Sequence, residues 1–542
     1  MAHVALVGPE IEENLSLRYV ASALAARGHV ADIVPFNGPA DFAGALAQVV
    51  GANPTVVGVS LAFQWRANDF LAFVVALREA GYRGHVCAGG HFGTFAAREI
   101  LGDFPELDSI CVQEAEATFT CLAERVEAGQ SLSDLTGLWL RNGDDAPFFT
   151  GHPALPDLAT LPWPDRRGEP AACFGHPIAP LVSSRGCYAN CSFCCIAAWH
   201  EQSLPGKRYR LREVDDVAAE MVAMQRDRGI DIFVFHDDNF FVPGHRKNIE
   251  RFSALADALE RQGIGNYATV VKARPTDVTP AVFRVLQDRL RCIRTYIGIE
   301  TDADQGLSTL QRWSQSKQNH RAIEMARELD LYACFNMLIF DPDTTLESIE
   351  TNIAFMRFAA EFPSNFGRVE LYAGTPLLAR MQAEGRCRGD YMSWDYTLTD
   401  PAAERVFQLA MQCFDERNFG ADALANRIMG TRFDIAVCRH FHPDLFRPQW
   451  LVEGKELSRA LAVSSADALE RIVRFVRSGA PSSAEADLVG EEAARLRLGE
   501  EAVRGRAQGL ARELLSVIQR GQPLTHLGDR VATPLQKAKE VA

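Results

Sequence analysis

The chain has 542 residues, of which 47% are hydrophobic and 23% charged, and its formal net charge is −14. This balance excludes wholesale disorder, and the acidic charge argues against nucleic acids and anionic membrane surfaces as partners, because both need a basic face. No apolar run reaches the ~18 residues of a membrane span, and the first residues lack the pattern of a secretion signal. The thirteen cysteines are scattered and odd in number, which favours free thiols in a reducing, cytoplasmic location.

Residues 1–130 alternate short apolar runs with amphipathic stretches. Strands are predicted at 4–7, 31–34, 56–60, 85–88 and 109–112, and helices at 17–26, 42–50 and 70–80. Near-continuous apolar strands that alternate with helices are typical of a parallel, doubly wound (Rossmann-like) sheet. In such sheets, ligands bind beyond the carboxyl ends of the strands.

Residues 131–178 carry many prolines and are predicted to be a linker. A second strand-helix series fills residues 179–395. Its strands are predicted at 180–184, 231–236, 267–272, 293–299, 332–339 and 368–372, with helices at 217–228, 249–262 and 320–329. Six such units favour a partial (βα)6 TIM-type barrel, whose functional residues gather at the strand ends. Residues 396–542 read as a mostly helical accessory domain, with helices predicted at 402–414, 455–462, 466–478 and 491–519.

Three cysteines, Cys187, Cys191 and Cys194, directly follow the first predicted barrel strand, and Phe193 precedes the last of them. Thiolates are the ligands of iron–sulfur clusters, and close spacing on one loop lets several sulfurs converge. The alternative is a zinc knuckle or a group of structural thiols, but zinc sites usually pair two-residue spacings with a second Cys/His pair. His200 is the nearby histidine, and its spacing does not complete such a set.

At these cysteines and at Phe193 the sequence resembles the radical S-adenosylmethionine (radical SAM) superfamily. Together with the first domain, it resembles the cobalamin-binding, class B methyltransferase-like members of that superfamily, over roughly residues 1–395. The resemblance implies a [4Fe-4S] cluster held by the three cysteines, with one iron left open for S-adenosylmethionine. It also implies a cobalamin on the first domain.

The resemblance assigns further cofactor contacts at the ends of the barrel strands. Asp237 and Asp238 match the family's strand-end motif near the methionine amino group or the ribose, and Glu300 ends the strand that resembles the family's Gly-Ile-Glu motif. Arg274 follows the third strand and is predicted to pair with an anionic group. Solvated strand-end carboxylates and ion pairs at the barrel rim are the structural alternatives. A short basic run follows the cysteines and comprises Lys207, Arg208, Arg210 and Arg212. By default it is interpreted as a solvent-exposed face, and the alternative is that it binds an anionic group of the substrate.

In the first domain the predicted cobalamin contacts lie after three strands: Ser60 and Leu61, then Gly89, Gly90 and Thr94, then Glu114. The two glycines are expected to let the nucleotide tail of the cofactor approach the backbone closely. The loop after the first strand lacks the histidine that coordinates cobalt in many cobalamin domains. We therefore predict that Gln64, Trp65 or Arg66 covers the lower face of the cobalt. His91 is an unfavoured ligand because it sits on the glycine loop. A degenerate domain that serves only for packing is the alternative.

Three functions are compatible with these motifs. The first is a methyltransferase that acts on an unactivated carbon of a small-molecule or natural-product substrate through methylcobalamin, the commonest chemistry of the family. The second uses the same cofactors for ring contraction, cyclisation or oxidation without methyl transfer. The third is a cobalamin or redox sensor on a retired barrel. The enzymatic hypotheses also imply an electron donor such as a flavodoxin or a ferredoxin.

Overall fold

The structure is a computed structural model that describes residues 1–142, 145–202 and 209–521. These residues fall into two compact units, each assembled from three stretches of the chain. The first unit combines Met1–Glu169, Ser184–Asp216 and Glu370–Tyr396, and the second combines Pro170–Ser183, Val217–Val369 and the described residues from Thr397 onward. The predicted domain borders at residues 130, 178 and 395 stay predictions. Lys207 and Arg208 lie outside the described residues.

The described residues form two large sheets and two small strand pairs. The strands are β1 (His3–Gly8), β2 (Val30–Pro35), β3 (Val56–Ser60), β4 (His85–Gly89), β5 (Ser109–Cys111), β6 (Leu138–Asn142), β7 (Asp145–Phe149), β8 (Ala171–Cys173), β9 (His176–Leu181), β10 (Ser184–Gly186), β11 (Tyr209–Leu211), β12 (Ile232–Phe235), β13 (Ala268–Ala273), β14 (Cys292–Ile297), β15 (Ala333–Phe340), β16 (Ser364–Arg368), β17 (Cys387–Asp390) and β18 (Ser393–Tyr396).

The helices alternate with the strands until residue 396 and then dominate. They are α1 (Leu15–Ala26), α2 (Phe42–Ala52), α3 (Ala67–Glu79), α4 (His91–Phe95), α5 (Ala97–Asp103), α6 (Glu116–Glu127), α7 (Cys195–Glu201), α8 (Val214–Arg228), α9 (His245–Arg261), α10 (Pro280–Asp288), α11 (Asp304–Thr309), α12 (Ser316–Glu328), α13 (Leu346–Phe358), α14 (Pro376–Ala383), α15 (Pro401–Phe419), α16 (Leu424–Phe441), α17 (Pro448–Arg477) and α18 (Glu485–Gly521). Among the described residues, no helix is both long and apolar enough to cross a bilayer.

The sheet of the first unit has the strand order β2-β1-β3-β4-β5-β6-β7. Strands β1 to β5 are parallel, and β6 and β7 extend the sheet in antiparallel fashion. Apolar cores cover both faces: Phe70, Phe73 and Leu77 of α3 belong to one, and Leu24 and Leu122 belong to the other. The predicted doubly wound fold is therefore confirmed, and its strand order reverses beside β1, where such sheets open a ligand crevice.

The sheet of the second unit has the order β16-β15-β14-β13-β12-β9-β8. Six of these strands are parallel and alternate with helices, whereas β8 pairs antiparallel with β9 at one edge. The predicted partial barrel is confirmed. Helices α15 to α18 follow it, and residues of α16, α17 and α18 share one apolar core.

Several local predictions differ from the structure, and the helices predicted at 455–462 and 466–478 are one continuous helix, α17. The predicted linker contains strands β6, β7 and β8. The sixth barrel strand is Ser364–Arg368 rather than 368–372, because an edge strand needs little apolar sequence and only Phe366 and Gly367 of it are buried. Helix α16 was not predicted. It buries residues on several faces, such as Ile435 towards the helical core and Phe433 towards the strand starts, so it lacks a one-sided apolar pattern.

Candidate functional site

The three cysteines lie on one loop of the first unit, between β10 and α7. Strand β10 pairs antiparallel with β11, so the two ends of the segment that carries the cysteines are held together. The amide of Ala189 donates a hydrogen bond to Cys187 Sγ at 3.3 Å, and the amide of Cys194 donates to the carbonyl of Cys191 at 3.1 Å. Cys191 is buried, whereas Cys187 and Cys194 are partly exposed, and none of the cysteines in the described residues forms a disulfide.

The donor set suits an iron–sulfur cluster. Three thiols on one loop, with an amide directed at a sulfur, are the ligand type that such clusters require. Within residues 1–142, 145–202 and 209–521, no three His, Cys, Asp or Glu side chains converge closely enough to hold a single metal ion. Ligands that bind different irons of a cluster are spaced more widely than the ligands of one ion. Phe193 is partly buried, and Cys195 is the first residue of α7.

A second segment supports the loop between Cys191 and Cys194. The carbonyl of Ser192 accepts a hydrogen bond of 2.7 Å from the amide of Leu377, in the first turn of α14. Thr375 caps that helix through the amide of Leu378. The turn after the sixth barrel strand therefore contacts the cysteine loop.

An ion-pair network connects the cysteine loop to the end of β5. The guanidinium of Arg185 binds Glu114 at 2.6 Å and Glu116 at 2.7 Å, and it lies 4.6 Å from the ring centroid of Tyr19. Arg210 binds the other carboxylate oxygen of Glu114. Burial opposes the charge on Arg185, but the two carboxylates outweigh it and raise its pKa further above its usual range. Glu114 is therefore occupied by arginines of the protein itself.

Backbone packing gives Gly90 a reason to be glycine in addition to the predicted one, which stays a prediction. Its φ is +108° and its ψ is −179°, a conformation essentially restricted to glycine. A Cβ there would lie 2.8–2.9 Å from backbone atoms of Leu61 and Ala62. The loop after β3 therefore packs directly on Gly90. A Cβ on Gly89 would make only ordinary contacts.

Ser60 and Leu61 belong to the same packing. Both residues are buried, the amide of Leu61 donates to the carbonyl of Gly89, and the Leu61 carbonyl accepts from Gly93. Thr94 is also engaged within the protein: its hydroxyl donates to Gly90, and its oxygen accepts bonds of 2.9 Å from the amide of Gln113 and 3.2 Å from the indole of Trp199.

The short turn after β3 holds the three residues predicted to face cobalt. Gln64 is buried and accepts a hydrogen bond from the amide of Ala373, whereas Trp65 is 58% exposed beside Phe63, which is 56% exposed. Arg66 is buried with Asp69 at 3.3 Å, yet its Nη2 has no hydrogen-bond partner within the described residues. A buried donor that no described residue hydrogen-bonds, close to an exposed tryptophan, fits a large ligand that offers oxygen acceptors and a flat face.

In the second unit, the two predicted aspartates differ in environment. Asp237 is fully buried, and its carboxylate accepts hydrogen bonds from the amide and the hydroxyl of Ser183 at 2.8–3.1 Å. Arg251 donates to the carbonyl and hydroxyl of the same serine. Asp238 is exposed at the strand end. Asp237 thus holds the residue at which the chain leaves the barrel towards the cysteine loop.

Glu300 lies shortly after β14, which ends at Ile297, and has a φ of +63°, a left-handed conformation that is uncommon for a residue with a side chain. Arg312 is 3.8 Å from its carboxylate and also donates to the carbonyl of Gly298, while Arg274 donates to the carbonyl of Arg312. Burial raises the pKa of Glu300, although the charges of Arg312 and Arg274 act in the opposite direction. A Cβ at Gly298 would lie 2.9 Å from the Glu300 carboxylate.

Sequence reasoning missed three residues that shape these sites. Arg185 and Trp199 tie the cysteine loop and its helix to the first sheet, and Arg312 accompanies Glu300. Arg185 directly precedes Gly186 and the first cysteine, so its position at a motif edge was an available signal. The partners of Trp199 and Arg312 are distant or depend on loop geometry, for which no local pattern exists.

Comparisons with known proteins match two parts of the chain. Residues 3–123 match the B12 binding domain family, and residues 181–356 match the radical SAM superfamily. An uncharacterized methyltransferase of Pyrococcus horikoshii, PH0819, is 24% identical over 353 residues, which cover 64% of this chain and 74% of the relative. The hopanoid C-3 methylase of Methylococcus capsulatus is 27% identical over 346 residues, which cover 62% of this chain and 63% of the relative.

Among solved structures, the fold is similar to that of OxsB, described as a cobalamin-dependent S-adenosylmethionine radical enzyme with aqua-cobalamin and S-adenosylmethionine bound. The TM-score is 0.68 and the sequence identity 14%, and the alignment covers 100% of this chain and 83% of OxsB. At this identity, the similarity concerns the fold alone.

Proposed function

Since this chain belongs to the radical SAM proteins that carry a B12 binding domain, we propose that it is a methyltransferase for an unactivated carbon of a small molecule. One observation carries the proposal. The three-cysteine loop belongs to the same compact unit as the B12-binding sheet, and Arg185 and Arg210 tie it to the end of β5. A protein that uses both cofactors in one reaction needs them held by one framework.

The residues of the chain are assigned as follows. Cys187, Cys191 and Cys194 would hold the cluster, and Trp65 and Arg66 would meet cobalamin beyond β3. When bound, the cluster supplies the electron that cleaves S-adenosylmethionine, and cobalamin carries the methyl group. The supporting features are the thiol donor set and the Nη2 of Arg66, which has no hydrogen-bond partner in the part of the chain that the structure describes.

At the barrel strand ends, Asp238 and Glu300 are our candidates for contact with the polar groups of S-adenosylmethionine. Asp238 is exposed, whereas the carboxylate of Asp237 is used by Ser183. Glu300 is held near Arg312 on a left-handed backbone, and such outliers concentrate at functional sites. Arg274 acts indirectly by holding the carbonyl of Arg312.

The test needs no natural substrate at first. Anaerobically reconstituted protein is incubated with S-adenosylmethionine, hydroxocobalamin and a chemical reductant in place of the electron donor, and both cleavage products are quantified. Methyl transfer predicts S-adenosylhomocysteine that depends on cobalamin, together with 5′-deoxyadenosine that depends on the cysteines. Cys194→Ala should abolish 5′-deoxyadenosine, and the matched Cys195→Ala should retain it.

A second stage uses S-adenosylmethionine with a deuterated methyl group and a small-molecule extract. A product that gains the labelled methyl supports the proposal. Formation of 5′-deoxyadenosine with a changed but unlabelled product would instead favour the non-methylating chemistry. Cleavage of S-adenosylmethionine would exclude the sensor hypothesis, whereas a protein that carries cobalamin and a complete cluster but cleaves no S-adenosylmethionine would contradict the proposal.

A further inference from the structure

The two ends of the cysteine segment meet at one buried carboxylate. Arg185 on β10 lies two residues before Cys187, and Arg210 on β11 lies beyond the loop, yet both bind Glu114. The side chains of Arg185, Arg210 and Glu114 are 15%, 12% and 4% exposed. Glu116 adds a second carboxylate to Arg185 at 2.7 Å. Two arginines on the paired strands that flank the cysteine segment therefore bind the carboxylates that follow β5.

Uncharged contacts from α7, the helix that follows the cysteine loop, also link the cysteine segment to the first sheet. The indole of Trp199 on α7 donates to Thr94, and its ring lies 4.8 Å from the ring of His91. The oxygen of Thr94 also accepts from Gln113, which precedes Glu114. The loop after β4, the loop after β5 and the cysteine segment thus form one continuous set of contacts inside the first unit.

A gain in stability does not by itself explain such a buried network of charges. Removing charges from water costs free energy that close pairing often does not repay, so a buried ion pair is weak evidence of a role in stability. Bidentate and fork-shaped contacts of arginine define direction as well as distance. Glu114 follows a carboxyl strand end of a parallel sheet, which is the edge where these sheets bind ligands.

We propose that Glu114 is a positioning residue that holds the cysteine loop at a fixed place relative to the cobalamin crevice of the same unit. Glu114 does not itself contact cobalamin in this assignment, because Arg185 and Arg210 engage its two oxygens. The inference rests on the proposed function only in that both cofactors must bind. It concerns where the loop is held, whichever product the enzyme makes.

The test measures geometry in the loaded full-length protein. Iron, sulfide and hydroxocobalamin are added anaerobically, and reduction with dithionite gives the one-electron-reduced cluster and cob(II)alamin, so that both centres are paramagnetic. Pulsed electron paramagnetic resonance then reports the dipolar coupling between the two centres. Glu114→Gln keeps the size of the side chain but removes its charge. The matched control is Asp108→Asn, which breaks the pair with Arg78 at 2.6 Å before the opposite end of β5.

We expect wild type and Asp108→Asn to show the same narrow distribution of cluster–cobalt distances. Glu114→Gln is expected to show a displaced or broadened distribution at comparable iron and cobalamin content. Glu114→Asp, which keeps the charge on a shorter side chain, should give an intermediate result. Identical distributions for wild type and Glu114→Gln would overturn the inference.

A second variant tests the same inference if Glu114→Gln fails to fold. Arg210→Lys keeps the charge but loses the planar fork, and Arg210 lies on β11, beyond the cysteine loop and α7. This variant should broaden the same distribution, and an unchanged distribution would count against the inference. Wild-type protein that couples both centres but methylates nothing would refute the proposed function and leave this inference intact. Wild-type protein that binds no cluster would refute both.

Discussion

Replacing Gly90 by alanine tests whether the loop after β3 depends on glycine in the loop after β4. The substitution adds one methyl group at a φ of +108° and a ψ of −179°. That methyl would lie 2.8 Å from the amide nitrogen of Ala62 and 2.9 Å from the carbonyl carbon of Leu61. Both neighbours are backbone atoms, so they cannot move aside by a change of rotamer.

Two costs add to the expected loss of stability. A residue with a side chain in this backbone region costs about 1–3 kcal/mol, and forcing backbone apart in a packed site costs about 1–3 kcal/mol more. The free energy of unfolding should therefore fall by about 2–6 kcal/mol, a large part of the ~5–15 kcal/mol that stabilises a typical domain. Because the displaced loop carries Gln64 to Arg66, cobalamin retention should fall as well.

The assay is urea unfolding of cofactor-free protein followed by circular dichroism, with absorbance of cobalamin retained after desalting as a second measurement. Gly93→Ala is the matched control. Gly93 lies in α4, and the added methyl would be 3.5 Å from the Leu61 Cβ, an ordinary van der Waals distance. Gly90→Ala should lower the urea midpoint by about 1–2 M at a typical denaturant slope, and Gly93→Ala should not lower it. Equal midpoints for the two variants would refute the steric argument.

Three further outcomes are expected. Cys194→Ala should lose most of the iron after reconstitution while Cys195→Ala keeps it, as measured by iron and sulfide analysis; equal loss in both would contradict the assignment of ligands. Asp237→Asn should lower the unfolding free energy by about 2–3 kcal/mol, because both carboxylate oxygens accept bonds from Ser183 and asparagine replaces one of them by an NH2 donor and removes the charge; an unchanged urea midpoint would contradict it. Burial raises the pKa of Asp434 from its ordinary 3.8 to about 7, so the folded state binds the proton more tightly and loses stability as the pH rises from about 4 to 7. Asp434→Asn should therefore exceed wild type by up to about 4 kcal/mol above pH 7 and match it near pH 4, and urea unfolding at both pH values checks this.

The five parallel strands of the first sheet, β1 to β5, were predictable because short apolar runs mark them in the sequence, whereas β6 and β7 lie in the segment predicted as a linker. Every residue of β3 is buried, and this strand was predicted with its observed bounds. Strand β16 lacks that mark, and its prediction was displaced by four residues. Helix α16 was missed because it is enclosed on more than one side, which erases the amphipathic period on which prediction depends.

In the candidate site, features that depend on neighbouring residues could be predicted, whereas contacts between residues far apart in the sequence could not. The cysteine spacing is local and could be interpreted directly, and the two matched families confirm the predicted pair of modules. The pair between Arg185 and Glu114 joins positions 71 residues apart, so no sequence window contains it. The two aspartates after β12 were predicted together. Successive residues at a strand end point to opposite sides, and Asp237 is accordingly buried while Asp238 is exposed.

The residues from Gly298 to Glu300 act together to position the Glu300 carboxylate, rather than as separate motif positions. Glu300 adopts a left-handed backbone that glycine would accept at lower cost, so its side chain must contribute something that offsets the strain. Gly298 leaves the space that the carboxylate occupies, since a Cβ there would approach it to 2.9 Å. Arg312 in turn binds both the Gly298 carbonyl and the Glu300 carboxylate. The conformation or identity of each of the three residues depends on its contacts with the other two. This dependence is expected where a protein accepts local strain to fix the position of one carboxylate.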